Sequence, residues 1–159
     1  MKIRQACEQD VEQLAVLHAQ VQTVHIDLYP NLFRCISNEV LCEMLRRSLN
    51  DELTIILVAE EGEHVIGYLV LKKQIRPELV LINERRCGYI DQICVSAQHR
   101  RKGIFNRLLN EAKKIVIEWD FDRIELFVWS DNQVAKDTFC KCGFVTYIER
   151  MKFDLKASK

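Results

Sequence analysis

The segment of this sequence best suited to chemistry is a run of basic residues that leads into a glycine. It reads Gln98-His99-Arg100-Arg101-Lys102-Gly103-Ile104-Phe105 and lies between a predicted strand and a predicted helix. The N–H groups and the dipole at the start of a helix attract anions, and three adjacent cations strengthen that attraction. Gly103 allows the backbone to approach a phosphate closely. The segment therefore predicts a phosphate-binding loop, and a solvated basic turn is the alternative.

The glycine patterns of two well-known phosphate-binding loops do not occur in the sequence. Neither G-x-G-x-x-G nor G-x-x-x-x-G-K-[ST] can be built from the five glycines of the chain. A diphosphate would have to bind without the dinucleotide-binding or P-loop arrangement. The function classes that depend on those two arrangements are therefore not expected.

Length and charge limit the functions further. The chain has 159 residues, of which 48% are hydrophobic, and a domain of this size can bury a core without disulfides. Its 23 Lys and Arg residues balance 23 Asp and Glu residues, so the overall positive field that drives nucleic-acid binding is absent. Nucleic acid is therefore not the expected partner, although the basic turn at residues 99–102 keeps it as an alternative.

The cysteines and the first residues of the chain predict a cellular compartment. Seven cysteines are an odd number, and they form no C-x-x-C pair and no zinc-finger spacing with histidine. Free thiols and no metal site are expected. Residues 1–8 lack the apolar core of a signal peptide, and no run of 18 apolar residues occurs. These features predict a cytoplasmic protein with no membrane partner.

The basic segment also carries part of a family pattern. The chain resembles the GNAT superfamily of acyl-CoA-dependent N-acetyltransferases, whose phosphate loop has Gln or Arg, two further residues, Gly, one residue, and Gly or Ala. Arg100 and Gly103 match the first two positions, and Phe105 departs from the third.

Two further features contribute to the resemblance, which spans nearly the whole chain. An Asn followed three residues later by Ala, and later by a Gly-Phe pair, stands here as Asn132, Ala135 and Gly143-Phe144. The opening Ile3-Arg4, with Asp10 and Leu14 after it, is also similar to the start of the family. Three features in the family's order are together more specific than any one of them.

The resemblance implies a binding mode for acetyl-CoA as co-substrate. In that family, acyl-CoA lies in a split between two parallel strands, with its pyrophosphate on the loop amides. By matching positions, the pantetheine arm would pair with Ile93, Cys94 and Val95, and Asn132 would lie on its other side. The pyrophosphate would be held by Arg100, Arg101, Lys102, Gly103, Ile104 and Phe105. The acceptor would be a small-molecule or protein amine, and a homodimer is consistent with the family.

Acetyl transfer to an amine needs a group that removes a proton from the ammonium. Asp91, on the strand before the phosphate loop, is the first candidate for this general base, and an ordinary surface position is the alternative. Gln92 could face the site instead, because alternation along a strand puts one residue of the pair on each face. Backbone N–H groups near Cys94 and Val95 would stabilise the oxyanion. The Cys94 side chain itself is expected to be inert packing.

The position of the usual acid departs from the family pattern. Phe139 stands four residues before Gly143, where the family often has a Tyr that protonates the leaving thiolate. Because a general acid contributes about 10² to 10⁴ in rate, its loss would slow the transfer. Water or Tyr147 could supply the proton. The departure also leaves open a catalytically weak or inactive acyl-CoA-binding module.

The spacing of apolar residues predicts the elements that must position these groups. Helices are expected at about 10–24, 37–50, 104–116 and 132–141, and strands at 2–6, 54–59, 65–71, 89–95, 123–129 and 144–155. Asp10 and Ser37 are candidate N-caps, and Pro30 should break the chain within a loop at 25–36. With the resemblance, this order predicts a single α/β domain of the α+β type over residues 1–159. Its twisted sheet would be mixed and mostly antiparallel, with helices on both faces.

Overall fold

A computed structural model of the protein describes residues 1–155. The chain divides into two compact units, residues 1–127 and residues from 128 onward. In chain order the elements are β1 (Lys2–Gln5), α1 (Val11–Leu28), α2 (Asn38–Leu49), β2 (Thr54–Glu61), β3 (His64–Arg76), β4 (Arg85–Val95), α3 (Ile104–Glu118), β5 (Ile124–Leu126) and α4 (Gln133–Lys141). No helix within residues 1–155 is long and apolar enough to span a membrane.

The first unit is built on one mixed sheet. Its strands lie in the order β1-β2-β3-β4-β5, and the first three pairings are antiparallel. The pairing of β4 with β5 is parallel. The predicted α/β fold with a mostly antiparallel mixed sheet is therefore confirmed.

Helices cover both faces of this sheet because its strands alternate between two apolar sides. Tyr68 and Val70 of β3 face one side, in a core with apolar residues of α1 and α2. Leu71 faces the other side and lies beside Gly88, which contacts Val116 of α3. The buried stripe of α3 consists of Ile104, Leu108, Leu109, Ala112 and Val116.

The N-terminal strand is fixed to the sheet by a charged network around Arg4. Its guanidinium donates two hydrogen bonds to Asp10, at 2.7 and 2.8 Å, and two to Glu60, at 3.1 and 2.8 Å. Asp10 was expected to cap α1, but its carboxylate instead accepts from the backbone N–H of Cys7 at 2.8 Å. This bond closes the short 3₁₀ turn Glu8–Asp10 that precedes the helix.

Of two helix boundaries predicted in the N-terminal half, one is confirmed and the other is wrong. Ser37 accepts a hydrogen bond from the N–H of Val40 and starts α2 as predicted. The loop predicted from residue 25 begins only after Leu28, because Pro30 restricts the residue directly before it, Tyr29, which ends α1.

The predicted strands at the C-terminal end differ more from the structure. The strand predicted at 123–129 is shorter, Ile124–Leu126. The sequence predicts one or two strands in residues 144–155, and the structure assigns none to those residues. Alternating apolar residues predict a strand only where a neighbouring strand supplies backbone hydrogen bonds, and the described sheet ends at β5.

Candidate active site

The predicted phosphate loop connects β4 to α3. After β4 ends at Val95, a 3₁₀ turn covers Ala97–His99, and α3 starts at Ile104. Gly103 precedes the helix with a φ of 75°, a left-handed conformation that glycine adopts without strain. Arg101 also has a positive φ, 63°, which is uncommon for a residue with a side chain.

The loop carries its positive charge on exposed side chains. Arg101 and Lys102 are exposed, while the Arg100 guanidinium donates from Nε to the backbone oxygen of Val95 at 3.4 Å. That hydrogen bond ties the loop to the end of β4. Exposed cations beside the start of a helix are the arrangement expected for binding an anion.

β4 is longer than the ladder that it forms with its parallel partner, β5. The ladder with β5 pairs Gly88 with Ile124 and ends where Ile90 pairs with Leu126. β4 continues for five more residues, to Val95. Within residues 1–127, no strand pairs with positions 91–95 on this side. An extended ligand can pair with the N–H and C=O groups of such an edge, and this edge leads directly into the loop.

A β-bulge interrupts β4 at Asp91. Val70 pairs with Gln92 and Leu71 pairs with Ile90, so Asp91 is an extra residue in the strand. Gln92 lies opposite Val70 and therefore faces the side of α1 and α2. Asp91 points to that side as well, because its carboxylate meets the side chain of Lys72, two positions along β3 from Val70. Regular alternation along the strand would put Asp91 and Gln92 on opposite faces of the sheet. That expectation is wrong, because the extra residue at the bulge leaves both side chains on the same face.

The carboxylate of Asp91 forms an ion pair. Its Oδ2 lies 2.9 Å from Nζ of Lys72, and the two side chains are 44% and 35% exposed. Partly exposed pairs of this kind contribute little to stability. A charged substrate group can therefore compete for the Asp91 carboxylate at low cost.

His18, which the sequence predicts as a helix-surface or core residue and not as a ligand, lies on the same side of the sheet. Nδ1 of His18, on α1, is 3.3 Å from the hydroxyl of Tyr68, and the two rings stack with centroids 6.5 Å apart. Tyr68 is fully buried, and burial raises the pKa of its hydroxyl well above the usual value. Burial lowers the pKa of His18, and the negative charge of Asp91 partly opposes that shift.

The thiol of Cys94 is part of the core. Its Sγ donates to the backbone oxygen of Leu17 at 3.6 Å, and burial raises its pKa to about 11. A thiol with this pKa stays protonated near neutral pH and is a poor nucleophile. The prediction that Cys94 serves as packing is confirmed.

Three further residues that the sequence singled out lie in the second unit: Asn132, Phe139 and Tyr147. Asn132 caps α4, since its Oδ1 accepts from the backbone N–H of Ala135 at 3.1 Å. Phe139 is buried and packs edge-to-face on Phe144, with ring centroids 5.4 Å apart. Tyr147 also belongs to this unit. The Asn-to-Ala spacing of the family pattern thus has a structural role here, and the roles of Asn132 and Tyr147 toward a substrate stay predictions.

Comparison with known proteins identifies relatives by sequence. Residues 19–144 match the family model described as Acetyltransferase (GNAT) family. Over 69 residues the chain is 29% identical to the GCN5-related N-acetyltransferase 7, chloroplastic, of Arabidopsis thaliana. That match covers 43% of this chain and only 25% of the plant protein.

Solved structures share the fold of this chain. A tetramutant of the BH1408 protein from Bacillus halodurans superposes with a TM-score of 0.93 at 27% identity, covering 98% of this chain and 100% of that chain. The aminoglycoside N-acetyltransferase AAC(6')-Iy, in complex with CoA, shares the fold with a TM-score of 0.72 at 14% identity, over 99% of this chain and 100% of that one. With a family match over most of its length, the chain belongs to the GNAT acetyltransferase family.

Proposed function

We propose that the protein is an N-acetyltransferase that moves the acetyl group of acetyl-CoA directly to a primary amine, and that residues 1–159 act as one domain. The observation that carries this proposal is the edge of β4 at residues 91–95, which has no strand partner within residues 1–127 and leads straight into a basic loop at the start of α3. Direct attack in a ternary complex needs no covalent enzyme intermediate, in agreement with the protonated state of Cys94.

The loop and the strand edge suit different parts of acetyl-CoA. The pantetheine arm carries amide groups that can pair with the backbone of Ile93, Cys94 and Val95. The pyrophosphate carries negative charge that suits the helix start and the cations at 100–102. A Cβ built on Gly103 would meet no atom within 4 Å among the described residues. The space beside this glycine is therefore open to a phosphate.

Transfer requires a neutral amine next to the thioester. The amine nitrogen attacks the carbonyl carbon, the C–S bond breaks, and CoA leaves as a thiolate. The nitrogen then loses one proton to become an amide, and this proton passes through water to the thiolate. A thiol pKa of about 8.5 makes this an acceptable leaving group near neutral pH. Backbone N–H groups near Cys94 and Val95 would stabilise the oxyanion. The charge of Asp91, at the bulge, would draw the ammonium of the acceptor toward β4, in competition with Lys72.

Product formation tests the proposal. The purified protein is incubated with acetyl-CoA and a panel of small amines, amino acids and peptides, and acetylated products are detected by mass spectrometry. The proposal predicts one class of amine that is acetylated in proportion to enzyme concentration. An Asp91→Asn variant should raise KM for that amine more than it raises KM for acetyl-CoA. Absence of any acetylated product across the panel would contradict the proposed activity.

Phe139 supports a second candidate, an acyl-CoA-binding module without turnover. It occupies the position of the family's usual acid, is buried, and packs on Phe144, so it cannot donate a proton. A binding module would bind acetyl-CoA but release no CoA with any amine. A Phe139→Tyr variant tests the role of the missing hydroxyl, because restoring an acid should increase kcat by roughly tenfold or more.

A further inference from the structure

We propose that Lys72 is itself acetylated, by the acetyl-CoA that the same chain binds, and that this modification frees the Asp91 carboxylate for the acceptor amine. The inference rests on the proposed acetyltransferase function and adds a modification site to it. Its basis is the place of the Lys72 ammonium, which occupies the carboxylate that the proposed function assigns to the ammonium of the acceptor.

The side chain of Lys72 leans along β4 toward the phosphate loop. In the ladder between β3 and β4, the backbone of Lys72 lies opposite Tyr89. Its Nζ nevertheless reaches Oδ2 of Asp91, at 2.9 Å, two residues further along β4. Asp91 shares the face of Tyr89, because alternate residues of a strand point to the same side. The ammonium is therefore held beside the first residue of the β4 edge at 91–95.

The acetyl group of bound acetyl-CoA would arrive at the same end of this edge. In the proposed binding mode, the pyrophosphate lies on the loop that follows Val95, and the pantetheine arm runs back along β4 to Ile93. The thioester is at the opposite end of that arm from the pyrophosphate, so it comes next to Asp91. The ladder with β5 ends one residue before Asp91, so an extended ligand can lie along β4 from this residue onward. One carboxylate thus brings the ammonium of Lys72 and the thioester to the same place.

The transfer to Lys72 balances as transfer to a free amine does. The ammonium first gives one proton to water, and the neutral Nζ attacks the carbonyl carbon of the thioester. The C–S bond breaks, CoA leaves as a thiolate, and the nitrogen loses a second proton as the amide forms. The thiolate takes up one proton, so the net products are acetyl-lysine, CoA and one proton released to solvent. Both reactants are held by one chain, which favours the reaction because no bimolecular encounter is needed.

Acetylation would change the charge at the acceptor site. The side chains of Lys72 and Asp91 are both partly exposed, so a substrate can reach them. An acetylated Lys72 is neutral and forms no ion pair, which leaves the full negative charge of Asp91 to an incoming ammonium. The modification therefore raises the affinity for the acceptor and leaves the groups that bind CoA unchanged.

Two other lysines distinguish this reaction from chemical acetylation by acetyl-CoA in solution. Nζ of Lys114, on α3, lies 2.9 Å from Oε2 of Glu111, the same distance as in the ion pair of Lys72. The side chain of Lys114 is 68% exposed, against 35% for Lys72, so chemical acetylation should favour Lys114. Lys73 follows Lys72 directly but points to the other face of the sheet, with its Nζ 5.6 Å from the ring centroid of Trp119.

The test is the rate constant of acetylation at each lysine, measured by peptide mass spectrometry after incubation of the protein with acetyl-CoA and no amine. We expect Lys72 to be acetylated at least about tenfold faster than Lys114 and Lys73, an advantage well within that of an oriented intramolecular reaction. The rate constant at Lys72 should saturate with acetyl-CoA and should not depend on protein concentration. At subsaturating acetyl-CoA, Gly103→Ala should slow the reaction at Lys72 and leave Lys114 unaffected. Acetylation of Lys72 at the rate of Lys114 or below it would overturn the inference.

Two substitutions at the same position test the consequence for the acceptor. Lys72→Gln imitates the neutral acetylated side chain, so KM for an accepted amine should fall by about two- to fivefold, the factor that corresponds to an exposed ion pair. Lys72→Arg keeps the positive charge, and its KM for the amine should match that of unmodified wild type. KM for acetyl-CoA should be unchanged in both variants.

The failure of this inference differs from the failure of the proposed function. Equal KM values of Lys72→Gln and Lys72→Arg for the amine would show that acetylation does not free Asp91. A wild-type protein that acetylates an added amine while Lys72 stays unmodified would overturn the inference and leave the proposed function intact. Acetylation of neither Lys72 nor any added amine would overturn both.

Discussion

Two residues of the loop between β4 and α3 have left-handed backbone conformations. Gly103 adopts its φ of 75° without strain, whereas Arg101 holds a φ of 63° with a full side chain. A non-glycine residue in this region costs on the order of 1 kcal/mol or more. Under the proposed function, this backbone conformation holds a cation in the loop that would meet the phosphates of acetyl-CoA.

A different residue, Asp10, contributes to the pH dependence of stability in the first unit. It is buried, and the Arg4 guanidinium and the N–H of Cys7 lower its pKa. Because the folded state binds this proton less tightly than the unfolded state, the interaction stabilises the fold above the ordinary Asp pKa. That stability is lost as the pH falls through the lowered value.

We therefore expect Asp10→Asn to lower the free energy of unfolding at pH 7 by about 2 kcal/mol, the range for hydrogen bonds to charged groups. Urea unfolding at pH 7 and at pH 3 measures the effect. The difference between variant and wild type should shrink at pH 3, below the ordinary Asp pKa, because there the unfolded wild-type chain takes up a proton that the folded state binds less tightly. Glu43→Gln, which removes an exposed ion pair with Arg47, is the control and should change stability little. An equal loss from Asp10→Asn at both pH values would contradict the assignment.

At the scale of single elements, β4 determines most of the site. Its bulge places Asp91 and Gln92 toward one side, and its length leaves residues 91–95 beyond the ladder with β5. The apolar pattern of the sequence predicts the strand at 89–95 but not the bulge, because an inserted residue leaves no mark in a pattern of alternation. The helix α2 could be predicted well, since both its cap, Ser37, and its apolar spacing are local features.

The contact between β4 and α3 positions the phosphate loop. Gly88 lies so close to Val116 that a Cβ built on the glycine would overlap the valine side chain. Gly88→Ala should therefore lower the free energy of unfolding by about 1–3 kcal/mol, the usual cost of overpacking. Chemical denaturation of the variant checks this value.

A second substitution tests the cause of that loss. Val116→Ala removes the atoms that the new methyl group would meet, so the double variant Gly88→Ala, Val116→Ala should be more stable than the sum of the single effects predicts. Strictly additive losses would show that the two positions do not clash.

For the molecule as a whole, contacts between residues far apart in the sequence could not be predicted from the sequence alone. Consecutive strands predict a hairpin and a mixed sheet, and both are confirmed. The pair of His18 and Tyr68 joins α1 to β3 across 50 residues of sequence, and no local pattern relates the two. The family resemblance predicts a phosphate loop because the residues of that loop are contiguous in sequence, whereas the acceptor side depends on tertiary packing.

The fold places the loop and the open edge of β4 next to each other within residues 1–127. The proposed function requires that acetyl-CoA binds through this loop. Gly62 is a matched control for Gly103. Each glycine has a positive φ, and a Cβ built on either one would meet no atom of the described residues within 4 Å. Alanine at either position strains the backbone by a similar amount, but only Gly103 lies in the loop.

Isothermal titration calorimetry with acetyl-CoA tests this claim most directly, with wild type, Gly103→Ala and Gly62→Ala. We predict saturable binding by wild type, the same affinity for Gly62→Ala, and an affinity at least about tenfold weaker for Gly103→Ala, which corresponds to about 1.4 kcal/mol. Circular dichroism confirms that both variants are folded. No binding by wild type at millimolar acetyl-CoA, or equal affinities for all three proteins, would contradict the account.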